Sequence, residues 1–104
     1  MTESVEGVDA DLLRDMCQKA RDKDPSTVVV IASANGGKVT FAAACGKDAI
    51  SRGILAGKVV KAVAQMAGGN GGGKPDMAMA GAKDVSKIEE ALAAVKDTVL
   101  GMLK

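Results

Sequence analysis

Apolar residues recur at two different spacings along this chain, and the spacing changes at clusters of glycine, proline and aspartate. Behind Asp9, the residues Leu12, Leu13, Met16, Cys17 and Ala20 fall three and four apart. This spacing predicts an amphipathic helix, N-capped by Asp9 and running to about Lys23. Asp24-Pro25-Ser26 breaks it. Residues 27–33, TVVVIAS, form a β-branched run that predicts a strand buried on both faces. Asn35-Gly36-Gly37 supplies a tight turn, and residues 38–45 read as a second strand hairpinned to the first.

Helical spacing returns over residues 54–67, where Leu55, Val59, Val60, Val63 and Met66 share a face with Lys58 and Lys61 to the side. Gly68-Gly69 is a natural stop for that helix. MAMAGA, residues 77–82, predicts a short covered strand. A last helix is expected from Asp84 or Ser86, where Ser86-Lys87-Ile88-Glu89 matches a capping box. Its stripe is Ile88, Leu92, Val95, Val99 and Met102 or Leu103. The order predicts an α/β fold, with α+β as the alternative: a small layered domain with a mixed sheet flanked by helices. No internal repeat or linker divides the chain, so residues 1–104 read as a single domain.

Composition narrows the chemistry. Hydrophobic residues make up 47% of the 104 residues, enough for a core without metal or disulfide staples. That core is aliphatic, because Phe41 is the sole aromatic residue, and base stacking on an aromatic platform is thereby largely excluded. There is no histidine, which removes Ser-His-Asp, Cys-His and His-metal mechanisms. The sequence therefore predicts no catalytic residue, no metal and no cofactor. Nothing in it brings Asp48 and Asp76 together as a carboxylate pair. Cys17 and Cys45 stand outside any C-x-x-C or Cys/His cluster, and the expectation is two buried free thiols. With no signal peptide and no stretch of about 20 apolar residues, the chain reads as soluble and cytoplasmic, with no membrane partner.

The net charge of +1 hides an uneven distribution. Residues 25–83 carry seven basic against two acidic side chains, whereas residues 1–24 carry four against seven. A basic middle block is compatible with a phosphate-facing surface, and equally with solvated charge.

Inside that block lies Gly68-Gly69-Asn70-Gly71-Gly72-Gly73-Lys74-Pro75-Asp76, with five glycines in six positions. Glycine is costly to order and is kept where the backbone turns left-handed or approaches something closely. Gly68, four intervening residues, Gly73 and Lys74 match G-x-x-x-x-G-K. The next residue is proline, where a nucleotide loop needs Ser or Thr for magnesium, and a helix precedes where a strand should. The remaining readings are bare amides beside one ammonium that accept phosphate or ribose oxygens, or a flexible linker. Pro75-Asp76 suits a turn, and Met77 and Met79 suit packing.

The continuation Pro75-Asp76-Met77-Ala78, then Ala80-Gly81, makes the string uncommon. Together with Gly7-Val8-Asp9, Leu13-Arg14-Asp15, TVVVIAS and Lys47-Asp48, it resembles the C-terminal domain of alanyl-tRNA synthetases, the C-Ala domain, which is similar to DHH-associated domains of some phosphoesterases. The resemblance covers nearly the whole chain. It implies a noncatalytic RNA-binding module, cut from or homologous to a larger ligase that would be an alanine-tRNA ligase. Its implied partners are the elbow of tRNA-Ala and the other synthetase domains, and its implied role is to support aminoacylation and editing in protein biosynthesis.

Carried over residue by residue, the resemblance implies Gly71, Gly72 and Gly73 as points of close backbone approach and Lys74 as a phosphate contact, with Lys58 and Lys61 beside them. Asp76 is expected to brace the loop. Two departures stand out: lysine occupies position 74 where arginine is common, and the segment before Gly7 looks short and acidic for a first strand. The competing readings are a protein-protein or self-association module, including a homodimer, and a phosphoesterase-like enzyme. Sedimentation at several concentrations and turnover with magnesium or manganese distinguish them.

Overall fold

The structure, a computed structural model, describes residues 2–102. Five strands, β1 (Thr2–Glu6), β2 (Val28–Asn35), β3 (Lys38–Cys45), β4 (Asn70–Gly73) and β5 (Met77–Ala82), form one mixed sheet in the order β1-β2-β3-β5-β4. Only β1 and β2 run parallel, and α1 (Ala10–Lys23) connects them. The other helices are α2 (Lys47–Ser51), α3 (Ala56–Met66) and α4 (Ile88–Met102), the last entered through a 3-10 turn at Val85–Lys87. This is the expected α/β arrangement of a mixed sheet flanked by helices.

Burial explains why β2 and β3 read as continuous apolar runs. Leu13 and Cys17 of α1 pack with Val29, Ile31, Ala42 and Ala44 on one face. On the other face, Val59, Val60 and Val63 of α3 and Ala91 and Val95 of α4 pack with Val30, Ala32, Phe41 and Ala43. Alternate residues of each strand thus serve opposite layers, and neither layer leaves the strand a solvated face. Gly36 and Gly37, at φ of 59° and 83°, make the two-residue hairpin turn between Asn35 and Lys38. Positive φ at both positions is the primed-turn geometry that glycine favours.

Several expectations need correction. The segment before Gly7 is a strand: β1 pairs with β2 from Thr2↔Val30 to Glu6↔Ala34. Its hydrophobic signal was weak because, as an edge strand, it half-buries only Val5. Ser33 locks the crossover that follows, donating its hydroxyl to the Val8 carbonyl at 2.9 Å and accepting from the Val8 N–H at 3.2 Å. Leu12 is 50% exposed and Met66 45% exposed, so neither belongs to the core face assigned to it. The last helical segment is capped by Asp84, which accepts from the Ser86 N–H and hydroxyl, in place of the Ser86/Glu89 box. Met102 packs against the core, and Leu103 lies outside the described residues.

Candidate nucleic-acid interface

The glycine run is an edge strand, not a loop. Helix α3 ends in a Schellman motif, with Gly68 at φ 75°, its N–H donating to the Gln65 carbonyl, and the Gly69 N–H reaching Ala64 at 2.8 Å. The chain then pairs antiparallel with β5, from Asn70↔Gly81 to Gly73↔Ala78. Lys74-Pro75-Asp76 forms the turn of this hairpin, closed by the Lys74 N–H on the Met77 carbonyl at 3.1 Å. The turn is tied to the body of the protein on two sides. The Ala56 N–H donates to Pro75 at 2.9 Å and the Cys45 N–H to the Asp76 carbonyl at 3.0 Å.

Most of the glycines are required by packing. A Cβ on Gly69 would lie 2.5 Å from the Ala82 Cα, one on Gly71 2.5 Å from the Ala80 Cα, and one on Gly73 2.9 Å from the Ala78 Cβ. On the facing helix, a Cβ on Gly57 would lie 2.8 Å from the Gly73 carbonyl oxygen. These side chains are missing because β4, β5 and the start of α3 are in close contact, and no ligand is needed to explain them. Gly72 is the exception in the strand, for nothing lies within 4 Å of its would-be Cβ and its φ is not positive. Gly81 on β5 is equally unconstrained.

These two glycines share a face. Gly72 pairs with Met79, and Met79 and Gly81 alternate on β5 with Met77, so all four project to the α1 side of the sheet. Helix α1 covers β2 and β3 there but leaves β4 bare. Between α1 and the hairpin lies a groove of about 480 Å³ with Arg14, Gln18 and Arg21 on one wall, Gly72, Gly73 and Lys74 on the other, and Met77 and Met79 at its floor. The methionines therefore play the expected packing role while remaining partly open.

Charge in the groove is graded. Arg21 is engaged by Asp76, whose carboxylate and backbone oxygen both lie 3.5 Å from its Nη1, and by Asp22. Asp76 thus braces the turn as expected. Arg14 leans over β5, its Nη2 3.6 Å from the Met79 sulfur, and forms no ion pair among the described residues. Lys74 is exposed and likewise unpaired there. Lys58 and Lys61 are exposed on α3, the layer that covers the opposite face of the sheet. The structure therefore lines one groove with Gly72 and Lys74 and carries Lys58 and Lys61 on the helix that packs on the opposite face of the sheet. Arg14 and Arg21 went unassigned in the sequence because they precede the hairpin by 56 and 49 residues. Their seven-residue spacing on one helical stripe was the available signal.

The two thiols are buried and free. Burial pushes Cys17 up to about 12 and, with help from the Asp76 charge, Cys45 up to about 11, so both stay protonated and unreactive. Among the described residues no group of three or more His, Cys, Asp or Glu side chains is placed to hold a metal, and no helix is long and apolar enough to cross a membrane.

Residues 1–101 match the model of the DHHA1 domain. The chain is 43% identical over 104 residues to the alanine-tRNA ligase of Clostridioides difficile, covering 100% of this chain and 12% of that protein. It is 48% identical over 101 residues to the alanine-tRNA ligase of Methylobacillus flagellatus, covering 97% and 11%. The chain therefore spans about an eighth of the length of the curated relatives it matches. The C-Ala domain of Aquifex aeolicus alanyl-tRNA synthetase superposes with a TM-score of 0.87 at 32% identity, over 94% of this chain and 87% of that one. A DHH-domain protein described as a member of the s1p family of ribosomal proteins shares the fold at a TM-score of 0.59 and 17% identity, over 94% of this chain and 23% of that one.

Proposed function

The chain belongs to the DHHA1 domain family and has the C-Ala fold, and from that premise we propose that it is the noncatalytic tRNA-binding module of an alanine-tRNA ligase. In this reading it contacts the elbow of tRNA-Ala and supports aminoacylation and editing carried out by other domains in the cytoplasm. The observation that carries it is the β4–β5 hairpin: an exposed strand whose last three residues are glycine, followed by a Lys74 with no ion pair among the described residues, at a turn tied to the body of the protein.

A structured RNA corner presents phosphates, 2′-hydroxyls and shape. The three glycines that end the strand allow the ribose–phosphate chain to approach closely, and Lys74 supplies a point charge for one phosphate. The absence of aromatic residues other than the buried Phe41 fits recognition by backbone and shape over base stacking. Affinity from one such module is modest, and linkage to other domains on the same tRNA raises its effective concentration.

The test is binding of the chain to intact tRNA-Ala and to an acceptor-stem minihelix that lacks the elbow. Preference for the intact tRNA is expected. Equal affinity for both would contradict the elbow assignment.

A further inference from the structure

Two exposed surfaces adjoin the hairpin, and they are on opposite faces of the sheet. One is the outer side of α3 with Lys58 and Lys61; the other is the α1-side groove containing Gly72. Resting on the tRNA-binding reading above, we propose that the RNA backbone enters the α1-side groove, with Arg14 and Lys74 holding successive phosphates and the intervening ribose lying over Gly72 and Met79. The α3 face with Lys58 and Lys61 stays outside the interface.

Three observations converge on this face. The first is the pattern of glycines. Gly57, Gly69, Gly71 and Gly73 are each fixed by an atom that a Cβ would strike, whereas Gly72 has open space above it. A glycine in the middle of a strand weakens the strand, because it loses more backbone entropy and buries no side chain. At Gly72 no turn, close contact or positive φ offsets that cost within the fold, so the bare position suits contact with something outside it.

The second is the state of the cations. Arg21 is neutralised within the protein by Asp76 and Asp22, but Arg14 and Lys74, on opposite walls of the groove, have no carboxylate partner among the described residues. Arg14 also reaches over the strand, its Nη2 3.6 Å from the Met79 sulfur. Its planar guanidinium fork suits a phosphate better than an ammonium does, because less side-chain freedom is lost per hydrogen bond formed. The third is the floor. Met77 and Met79 are half-buried and apolar, which suits the uncharged ribose between two phosphates.

The experiment uses the full chain with tRNA-Ala at fixed ionic strength. Amide NMR shifts during titration report the contacted face without any substitution, and affinities are measured for Arg14→Ala, Gly72→Val and the Lys58→Ala/Lys61→Ala pair. Gly72→Val has room for its side chain and favours the strand, so thermal unfolding should show a folded protein. The groove predicts shifts concentrated at Arg14, Gly72 and Met79, a loss of about tenfold or more for each of the first two variants, and less than twofold for the lysine pair. If the unaltered chain binds tRNA while the shifts and losses follow Lys58 and Lys61, the groove is wrong and the tRNA reading survives. If the unaltered chain does not bind tRNA, both fall.

Discussion

Gly57 of α3 and Gly73 of β4 lie backbone against backbone, so near that a methyl group on Gly57 would stand 2.8 Å from the Gly73 carbonyl oxygen. This contact seats the start of α3 on the end of the glycine strand. It also makes the hairpin a packed and paired part of the fold, not a linker. Gly57→Ala and Gly71→Val should therefore destabilise the protein by about 1–3 kcal/mol through overpacking. Gly72→Val should leave stability unchanged or raise it by about 0.5–1 kcal/mol. Urea unfolding of the three variants checks the contrast, and equal losses in all three would show that the strand is not packed as described.

The aliphatic core depends on one large side chain. Phe41 is fully buried between the central strand and the α3/α4 layer, and no other aromatic residue is present to fill its space. Phe41→Ala should cost about 3–5 kcal/mol, a large part of the stability of a domain this size. A loss under about 1 kcal/mol on chemical denaturation would mean that the core closes over the cavity.

The thiols predict a pH dependence with a definite sign. Cys17 is raised from 9.0 to about 12 and Cys45 from 9.0 to about 11, chiefly by burial. The folded protein thus binds more thiol protons than the unfolded chain above pH 9, so their stabilising contribution is complete below about pH 9 and is lost as pH rises toward 11 and 12. A Cys17→Ala/Cys45→Ala protein should show a shallower fall in stability across that window. At pH 8 the folded thiols should react with Ellman's reagent only as fast as the protein opens. Rapid labelling of the folded chain would contradict their burial.

The elements with a strong period were legible in the sequence. α1 with its Asp9 cap, β3 and β5 match their expected positions because propensity, spacing and turn residues agree there. What was missed shares a cause: structure that rests on tertiary contact. β1 has almost no apolar signal and forms through backbone pairing with β2. α2 is five residues long and is anchored when its first N–H groups meet the Pro25 carbonyl. β4, all glycine after Asn70, has poor strand propensity and forms because β5 and α3 pack against it. The sequence singled out the glycine run and Lys74, and the structure sets Gly72 and Lys74 along one groove. The sequence did not show that Gly71 and Gly73 serve packing, that Lys58 and Lys61 lie on the opposite layer, or that Arg14 joins the hairpin from far upstream.

The central claim is that this domain holds tRNA through the phosphate contact at the hairpin turn. Its most direct test is the salt dependence of tRNA affinity for the unaltered chain and for Lys74→Ala. Each phosphate contact releases counterions, so the logarithm of the binding constant should fall linearly with the logarithm of salt concentration. Losing Lys74 should weaken binding and reduce that slope by about 1. An affinity indifferent to salt, or a Lys74→Ala protein with the same affinity and slope as the unaltered chain, would contradict the account.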